Sequence, residues 1–342
     1  MSKSNPPKIL VVGSAQLPSF KIAISQPFRL LRREGFCNFE VKSELELNQD
    51  SIAAADTVIF VRCFQPATYD YLKLAKQLNK RTVYSIDDHF LALPGNSPLG
   101  EIFQHGRYRR AYLGFIKDTR LVRTASEYFA DYIRRKYRAN GVVCFPGCVD
   151  FSLFKDLKKT AHPEGVTVIG YEGGDKEDTL TPLVPALKRI TRKYGDKVRL
   201  EFYGYTPSGL EGRKNVFSMK TRLEYRPFMK KLYQCNWDIG LAPLKDTLLH
   251  NCKTNNKFRE YAACSIAGMY SASPAYTHWV THKKTGYLVP HTEEGWYQGL
   301  KEMIESPELR KKIKENAQNV AKEKFSVQAC AQQWLKQVLQ AK

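Results

Sequence analysis

The amino-acid sequence predicts an α/β protein with two parallel-sheet domains in series. The chain has 342 residues, which exceeds one ordinary hydrophobic core and suits two α/β domains. Short apolar runs alternate with amphipathic stretches in the first half, and this alternation restarts after about residue 160. The apolar runs are continuous, which is typical of strands that are covered on both faces.

Apolar runs and helical spacing locate the expected elements. In the first half the predicted strands lie at residues 9–12, 57–61, 81–86, 121–122 and 142–145. In the second half they lie at residues 166–169, 198–203 and 238–242. Helical periodicity separates the strands, as at Leu183, Leu187 and Ile190. This alternation implies right-handed βαβ units and parallel sheets, with a join in the polar stretch near residues 150–165.

The composition indicates a globular protein with anionic partners. The formal net charge is +20, and basic residues outnumber acidic residues in both halves. Nucleotide diphosphates, an anionic membrane face and nucleic acid are all partners that this charge favours. No apolar run is long enough for a transmembrane helix, and the first residues do not resemble a secretory signal. We therefore expect a cytoplasmic protein.

The cysteines and histidines do not predict a metal site. Eight cysteines are scattered along the chain without a Cys-x-x-Cys pair, which indicates reduced thiols rather than disulfides or zinc ligands. His278 and His282 stand four residues apart but lack the glutamate of a zinc-binding helix. Two polar surface residues is the better interpretation, and we expect no bound metal.

Candidate ligand-binding residues are expected just after strands, because ligands of open α/β sheets bind outside the carboxyl ends of the strands. Gly13 follows the first strand, where glycine permits close backbone approach to a ligand, although a plain turn explains it equally well. Asp87, Asp88 and His89 follow the strand predicted at 81–86. They would orient hydroxyls or transfer protons, or else cap the next turn.

A glycine-rich loop after the run at 166–169 suits a phosphate. Gly173 and Gly174 precede a predicted helix, so that backbone N–H groups and a positive helix end would face an anion. Lys176 would add a point charge. The alternative is an ordinary glycine-rich turn.

The segment 238–263 is the strongest candidate. Its apolar strand is followed by a helix that is predicted to start near Thr254 as N-cap. Lys253 and Lys257 lie four residues apart and Glu260 close to one turn further, so all three are expected on one helix face. Two lysines at a helix N-terminus suit a diphosphate, and Glu260 suits ribose hydroxyls. Taken alone, the segment also fits an amphipathic helix with a solvated Lys/Glu face.

This segment resembles the donor-binding signature of the glycosyltransferase group 1 families, which have the GT-B fold. The matching stretches are Asp-Ile-Gly-Leu-Ala-Pro-Leu at 238–244, Lys-Phe-Arg-Glu-Tyr-Ala-Ala at 257–263, the strand at 267–271 and Thr-Gly-Tyr-Leu-Val at 285–289. Residues 83–88, 145–150 and 325–339 resemble other parts of these enzymes. The resemblance covers nearly the whole chain, with specific motifs in the second half and loose ones in the first.

The resemblance implies a fold, a domain organisation and a reaction. We expect two Rossmann-like, doubly wound parallel-sheet domains that face a cleft: an acceptor-side domain at 1–155, a donor-binding domain at 156–322 and a helix at 323–342 that returns to the first domain. The expected enzyme moves a sugar from a UDP- or GDP-sugar co-substrate to a hydroxyl, with retention and without a metal. The expected acceptor is a glycan or lipid-linked saccharide of a cell-surface polysaccharide pathway.

The resemblance also assigns the donor-binding residues. They are Gly13, Gly173, Gly174, Lys176, Lys253, Asn256, Lys257 and Glu260. Glu260 would hold the donor ribose, and Lys257 or Lys253 the diphosphate. Cys252 departs from the pattern, because many relatives have at this position a glutamate that contacts the transferred sugar. The arginine that relatives direct at the donor phosphates also has no clear counterpart.

The first domain carries the candidates for acceptor chemistry. Asp87, Asp88, His89 and His105 are the residues that would orient or deprotonate the acceptor hydroxyl. Aromatic residues alternate with cations at 103–117 and 134–138, which suits a membrane surface or a nucleic acid, although such aromatics more often face the core. We expect an anionic or membrane-bound acceptor, and hence a peripheral position at the inner face of the membrane.

Two other functions stay open at this point. The first is a glycosyltransferase that modifies nucleic-acid bases, as some phage enzymes of this fold do. The second is a catalytically inactive GT-B subunit that binds a ligand or a partner, which Cys252 would fit.

Overall fold

The computed structural model describes residues 5–174, 176–219 and 223–340. The chain forms two compact units. Unit 1 extends to Cys148 and also includes Asn251–Thr254 and the chain from Phe325 onwards. Unit 2 comprises Val149–His250 and Asn255–Lys324. The main junction thus lies a few residues before the predicted one at residue 155.

Unit 1 is built on a six-stranded parallel sheet. Its strands are β1 (Lys8–Val12), β2 (Asn38–Lys42), β3 (Thr57–Val61), β4 (Arg81–Ser85), β5 (Leu121–Thr124) and β6 (Val142–Cys144), in the order β2-β1-β3-β4-β5-β6. The five strands predicted in this half are confirmed. The sixth, β2, was not predicted because it is an edge strand of mixed composition whose residues are all at least partly exposed.

Seven α-helices lie between β1 and β6 along the chain. They are α1 (Pro18–Phe20), α2 (Gln26–Arg33), α3 (Gln49–Ala54), α4 (Pro66–Gln77), α5 (Pro98–Ile102), α6 (Gly106–Asp118) and α7 (Glu127–Tyr132). A π-helical turn at Lys21–Ser25 joins α1 to α2, and another at Ile133–Tyr137 extends α7. Asn48 and Ser51 form a reciprocal capping box at the start of α3.

Unit 2 contains a second six-stranded parallel sheet. Its strands are β7 (Thr167–Gly173), β8 (Val198–Gly204), β9 (Val216–Met219), β10 (Ile239–Ala242), β11 (Ala267–Ser271) and β12 (Tyr287–Val289), in the order β12-β11-β10-β7-β8-β9. The three strands predicted from apolar runs are confirmed, and those at 267–271 and 287–289 fall on the stretches quoted for the resemblance. The edge strand β9 was not predicted, because three of its four residues are exposed.

Nine α-helices occur among the described residues from Glu177 onwards. They are α8 (Glu177–Leu180), α9 (Leu183–Tyr194), α10 (Tyr225–Cys235), α11 (Leu248–Asn251), α12 (Asn256–Ala263), α13 (Pro274–Thr277), α14 (Glu293–Glu305), α15 (Pro307–Phe325) and α16 (Val327–Trp334). The predicted periodicity of α9 is confirmed, since Leu183, Leu187 and Ile190 are fully buried in one core with Trp296 of α14. In the described part of the chain, no helix is long and apolar enough to span a bilayer.

The last helix belongs to unit 1. The indole Nε1 of Trp334 donates a hydrogen bond of 2.7 Å to the carbonyl of Ala23, and its ring packs edge-on against Phe28 with 5.1 Å between centroids. Trp334 is fully buried. A π-helical turn at Leu335–Leu339 continues α16 along the same unit.

Each sheet has one point at which the strand order reverses. In unit 1 the connections run from β1 outward to β2 and then back to β3, and in unit 2 they run from β7 outward to β8 and β9 and then back to β10. Ligands of doubly wound sheets bind outside the carboxyl ends of the strands at such reversal points. The ends of β1 and β3 in unit 1, with β4 next to β3, and the ends of β7 and β10 in unit 2 are therefore where functional side chains are expected.

Replacement of Gly170 by alanine should destabilise unit 2. A Cβ at Gly170 would lie 1.8 Å from Cδ2 of Trp237, which is fully buried and held by a 2.8 Å hydrogen bond from Nε1 to Glu201. Overpacking of this kind costs about 1–3 kcal/mol, and we expect a lower Tm by about 2–4 °C for each kcal/mol. Gly174→Ala is the matched control in thermal unfolding, because nothing lies within 4 Å of its Cβ position. Equal Tm values for the two variants would contradict the packing argument.

Candidate functional site

The N-cap of helix α12 in unit 2 is Asn255, one residue after the predicted Thr254, and the helix begins at Asn256. The start is set by Arg259, whose Nε donates a 2.9 Å hydrogen bond to Oδ1 of Asn255 and whose guanidinium also bonds Oδ1 of Asn256. Asn255 and Arg259 are both almost completely buried. The Asn256 amide oxygen, predicted to bind the donor, is therefore engaged within the helix start itself.

Lys253 does not lie on α12. It belongs to unit 1, where its Nζ lies 2.8 Å from Oδ1 of Asp88. The expectation that Lys253 and Lys257 share a helix face is therefore wrong. The four-residue spacing misleads here because the helix begins only after Lys253.

Lys257 lies in the first turn of α12 and faces the end of β7. Its ammonium donates a 2.7 Å hydrogen bond to the carbonyl of Glu172 and forms an ion pair with the Glu172 carboxylate. Burial lowers the pKa of Lys257 to about 8, and the negative charge of Glu260 acts in the opposite direction. The cation is thus partly desolvated, which strengthens its attraction for any anion that reaches it.

Glu260 lies one turn further along α12 and is 6% exposed. Burial raises the pKa of its carboxyl group, while Lys257 and Arg259 act to lower it. Among the residues that the structure describes, none donates a hydrogen bond to this carboxylate. A buried acceptor without donors costs free energy, so a ligand that brings hydroxyl groups would stabilise it.

The predicted glycine loop follows β7. Gly173 is explained by packing, because its Cβ would lie 2.6 Å from the Tyr171 hydroxyl. Its carbonyl accepts a 3.0 Å hydrogen bond from the backbone N–H of Tyr205, and Gly204, with φ of +98°, leaves room for this approach. Gly174 is exposed with open space around it, so no neighbouring group requires a glycine there.

The helix expected after this loop is only one turn long. Lys176 is exposed at its N-cap, and Glu177 and Asp178 form its first turn. Glu177 accepts hydrogen bonds from the hydroxyls of Tyr205 and Ser208. A phosphate at this helix end would meet two carboxylates, so the structure gives no support to the interpretation that the positive end of this helix binds it.

Two further polar residues at the carboxyl edge of unit 2 were missed in the sequence. Lys245 follows β10, and its Nζ lies 3.3 Å from Oδ2 of Asp178. His291 follows β12, and its Nδ1 lies 3.0 Å from the Ser271 hydroxyl and 3.3 Å from the Trp296 Nε1. Because an indole N–H only donates, Nδ1 accepts and the proton lies on Nε2. Burial lowers the pKa of His291, which keeps the ring neutral. The sequence signal that could have identified Lys245 and His291 is their position just after the strands β10 and β12.

In unit 1, Asp87 and Asp88 follow β4 as predicted, but the cation that holds them was not predicted. Arg62, directly after β3, pairs with Asp87 and lies 3.1 Å from Oδ2 of Asp88. Burial opposes ionisation of Asp88, yet Lys253 and Arg62 lower its pKa below the usual value. Both carboxylates are paired with a cation, and this pairing favours the ionised form of Asp88.

The two histidines predicted as catalytic have different surroundings. His89 is 2% exposed, its Nε2 lies 3.1 Å from the Tyr137 hydroxyl, and its ring packs against Phe129 and Tyr132. Burial lowers the pKa of His89 to about 4. The proposal of an acceptor base at His89 is corrected, because this neutral ring is part of a buried aromatic group. His105 is exposed at the N-cap of α6.

Gly13 and Cys252 are both explained by packing within unit 1. A Cβ at Gly13 would lie 2.9 Å from the carbonyl of Val61. Cys252 is fully buried, and burial together with the charge of Asp88 raises its pKa to about 12. This inert thiol does not replace the carboxylate that many relatives have at its position. All eight cysteines are free, and no cluster of three or more potential metal ligands occurs in the described ranges.

Comparison with known proteins identifies the fold. No protein-family model matches the chain, and no curated protein matches it in sequence. HepE of Anabaena, solved in complex with UDP and glucose, is similar with a TM-score of 0.68 and 15% identity, over 98% of this chain and 100% of the other. Sucrose-phosphate synthase of Thermosynechococcus elongatus is similar with a TM-score of 0.70 and 13% identity, over 98% of each chain.

A third similar structure is named for a different activity, sugar epimerisation. A putative UDP-N-acetylglucosamine 2-epimerase of Listeria monocytogenes has a TM-score of 0.58 at 10% identity, over 96% of this chain and 95% of the other. These similarities confirm the predicted fold of two Rossmann-like α/β domains, as in GT-B glycosyltransferases. The reaction has to be argued from the site, because one fold supports different chemistries.

Replacement of Glu172 by glutamine should increase the affinity of unit 2 for a diphosphate. The carboxylate of Glu172 competes with any bound anion for the Lys257 ammonium, and glutamine keeps its shape without its charge. We expect UDP to bind about three- to tenfold more tightly, as measured by calorimetry, while the unliganded Tm falls because a buried lysine loses its partner. Glu305→Gln, which alters an exposed pair with Lys193, is the control. Weaker binding by Glu172→Gln would show that Glu172 itself orders the site.

Proposed function

We propose that this protein is a glycosyltransferase that takes its sugar from a nucleotide-sugar donor held by unit 2. The observation that carries the proposal is the pairing, one turn apart on α12, of a desolvated Lys257 and a buried Glu260 without a hydrogen-bond donor. A nucleoside diphosphate suits both groups, since its phosphates compete with Glu172 for the Lys257 ammonium and its ribose carries two hydroxyl donors for Glu260. The site lies where the strand order reverses between β7 and β10.

Within this proposal each group of unit 2 has a distinct task. Glu260 accepts hydrogen bonds from the ribose hydroxyls, and Lys257 neutralises the diphosphate. Lys245 is a second cation at the end of β10, and Gly174 leaves its backbone open to a close ligand. Cations that are fixed before the reaction stabilise the negative charge that develops on the departing diphosphate. We therefore propose that these lysines serve the leaving group in place of a metal ion and, from the family resemblance, that the sugar keeps its configuration.

The first donor to test is a UDP-sugar. The structurally similar HepE was solved with UDP-glucose. Two lysines and one buried carboxylate recognise ribose and diphosphate without distinguishing the base, so GDP-, ADP- and CMP-sugars belong in the same panel.

Thermal unfolding of the full chain with this panel tests the donor site. A nucleotide that binds only the folded state raises the Tm by mass action. We expect one nucleotide family to raise the Tm. We expect Glu260→Ala and Lys257→Ala to weaken its binding about 10- to 100-fold, the range for lost hydrogen bonds to a charged group. Glu323→Ala, on the exposed face of α15, is the matched control.

Three outcomes separate the candidate activities. Formation of a glycoside from the bound nucleotide sugar supports the proposal. Conversion of UDP-N-acetylglucosamine into an epimer, with no glycoside formed, would replace it by sugar epimerisation. Absence of a Tm shift with every nucleotide would overturn the donor site and favour an inactive binding subunit.

We further propose that the acceptor is anionic or embedded in an anionic membrane. The support is a cationic face of unit 1 formed by α6 and the π-helical turn Ile133–Tyr137, which pack together. Its exposed cations are Arg107, Arg109, Arg110, Lys117, Arg134, Arg135, Lys136 and Arg138. The aromatic residues predicted to accompany these cations do not form a base-stacking platform, because Phe103, Tyr112 and Phe115 are buried. This favours a lipid surface over a nucleic acid.

Reversal of charge on this face should release the protein from anionic vesicles. We expect the wild type to sediment with vesicles containing phosphatidylglycerol and not with pure phosphatidylcholine. Each lysine or arginine near such a surface contributes about 1 kcal/mol, so Arg109→Glu/Arg110→Glu should bind at least about tenfold more weakly. Lys311→Glu/Lys312→Glu, on exposed positions of α15, is the charge-matched control. Steeply salt-dependent binding to duplex DNA without vesicle binding would favour the nucleic-acid alternative.

A further inference from the structure

The two adjacent aspartates at the end of β4 have different surroundings. Asp88 has both carboxylate oxygens occupied, since Oδ2 lies 3.1 Å from Nη1 of Arg62 and Oδ1 lies 2.8 Å from Nζ of Lys253. Asp87 has only Oδ1 occupied, by the same Arg62 Nη1. Within the described residues, Oδ2 of Asp87 has no hydrogen-bond partner. One open carboxylate oxygen therefore remains at this strand end.

Arg62 is held in a conformation that few residues adopt. Its φ is +57°, in the left-handed region that is unfavourable for residues with a Cβ. Its backbone N–H donates a 3.0 Å hydrogen bond to the carbonyl of Ser85, which fixes the turn after β3 to the end of β4. The guanidinium carbon lies 4.9 Å from the centre of the Phe90 ring, which is buried. Backbone strain of this kind persists where the surroundings enforce it, and it clusters at functional sites.

Two cations lie beside the aspartate pair that carries the open oxygen. Arg62 supplies one positive charge between the two aspartates, and Lys253 supplies a second beyond Asp88. Asp87 and Arg62 are 15% and 19% exposed in their side chains, so the pair is only partly hydrated. An ionised carboxylate is an acceptor only, and its natural ligand is a hydroxyl group.

We propose that Asp87, through Oδ2, accepts a hydrogen bond from the hydroxyl that receives the sugar, and that Arg62 is the positioning residue that sets the direction of this oxygen. The inference rests on the proposed glycosyltransferase function and selects one of the four candidate residues in unit 1. Asp88 is a structural link between Arg62 and Lys253. His89 is buried among aromatic rings, and His105 is an exposed residue at the N-cap of α6.

Turnover in the full-length protein tests the assignment, with UDP release from UDP-glucose as the readout and water as the acceptor. We expect Asp87→Asn to reduce UDP release at least about 100-fold, because the amide that replaces the carboxylate has one acceptor oxygen, which stays on Arg62. Asp88→Asn should reduce it less than tenfold. UDP affinity, measured by calorimetry, should stay within twofold of the wild type in both variants, because the donor residues lie in unit 2.

Two variants of Arg62 separate positioning from folding. Arg62→Gly removes the guanidinium and also relieves the left-handed strain, since glycine adopts positive φ readily. We expect it to fold with a lower Tm than the wild type, because Asp87 and Asp88 lose a shared partner and the relief of strain offsets this loss only in part, and to lose at least tenfold in UDP release at a temperature well below that Tm. Arg62→Lys keeps a cation without the guanidinium geometry, so it should retain more activity than Arg62→Gly.

The outcomes distinguish this inference from the proposed function. The inference is overturned if the Asp87→Asn protein releases UDP at a rate within threefold of the wild type. It is also overturned if Asp88→Asn reduces UDP release as much as Asp87→Asn does. Either result leaves the donor site intact. An Arg62→Gly protein with full activity overturns the positioning role. A protein that binds no nucleotide sugar overturns the proposed function, and the inference falls with it.

Discussion

The contact between Lys257 and Glu172 is the interaction on which the candidate donor site depends. It joins the first turn of α12 to the last residues of β7, and so fixes the helix that carries Glu260 relative to the glycine loop. A buried ion pair is a weak source of stability, because desolvation of both charges offsets most of their attraction. Its value here is geometric, since it keeps a desolvated cation in place before any ligand arrives. Movement of either partner would displace the glycine loop and Glu260 from each other.

The strands and the fold class were predictable because the buried strands leave a strong local signal. Strands covered on both faces read as uninterrupted apolar runs. Ten of the twelve strands coincide with such a run or with a stretch quoted for the resemblance. The edge strands β2 and β9 were missed because exposure on one side admits polar residues. The N-cap of α12 lies one residue after the predicted one, and Arg259, buried through tertiary packing, bonds the side chain of this N-cap, Asn255.

The residues of the candidate site were predictable only in part, because contacts between distant parts of the chain leave no local pattern in the sequence. Lys257 and Glu260 share a helix, so their spacing along the chain places them together. Arg62 and Asp88 are brought together by neighbouring strands, and Lys253 reaches Asp88 across 165 positions of sequence, which no local pattern reports. His89 was misjudged because residues just after strands are sometimes covered by the following elements, here by the aromatic residues of α7 and of the turn after it.

The division of the chain has a consequence for how such proteins diversify. The chain passes from one unit to the other four times, and the short segment Asn251–Thr254 belongs to unit 1 although its neighbours on both sides belong to unit 2. Each unit therefore consists of several separate segments of the chain, and a single recombination event within the gene could not replace a whole unit with its counterpart from another protein. The incoming unit 2 would have to carry a compatible Cys252 and Lys253, and the C-terminal helix would have to match the old unit 1. New donor specificities are thus more accessible by point substitution inside unit 2 than by modular exchange.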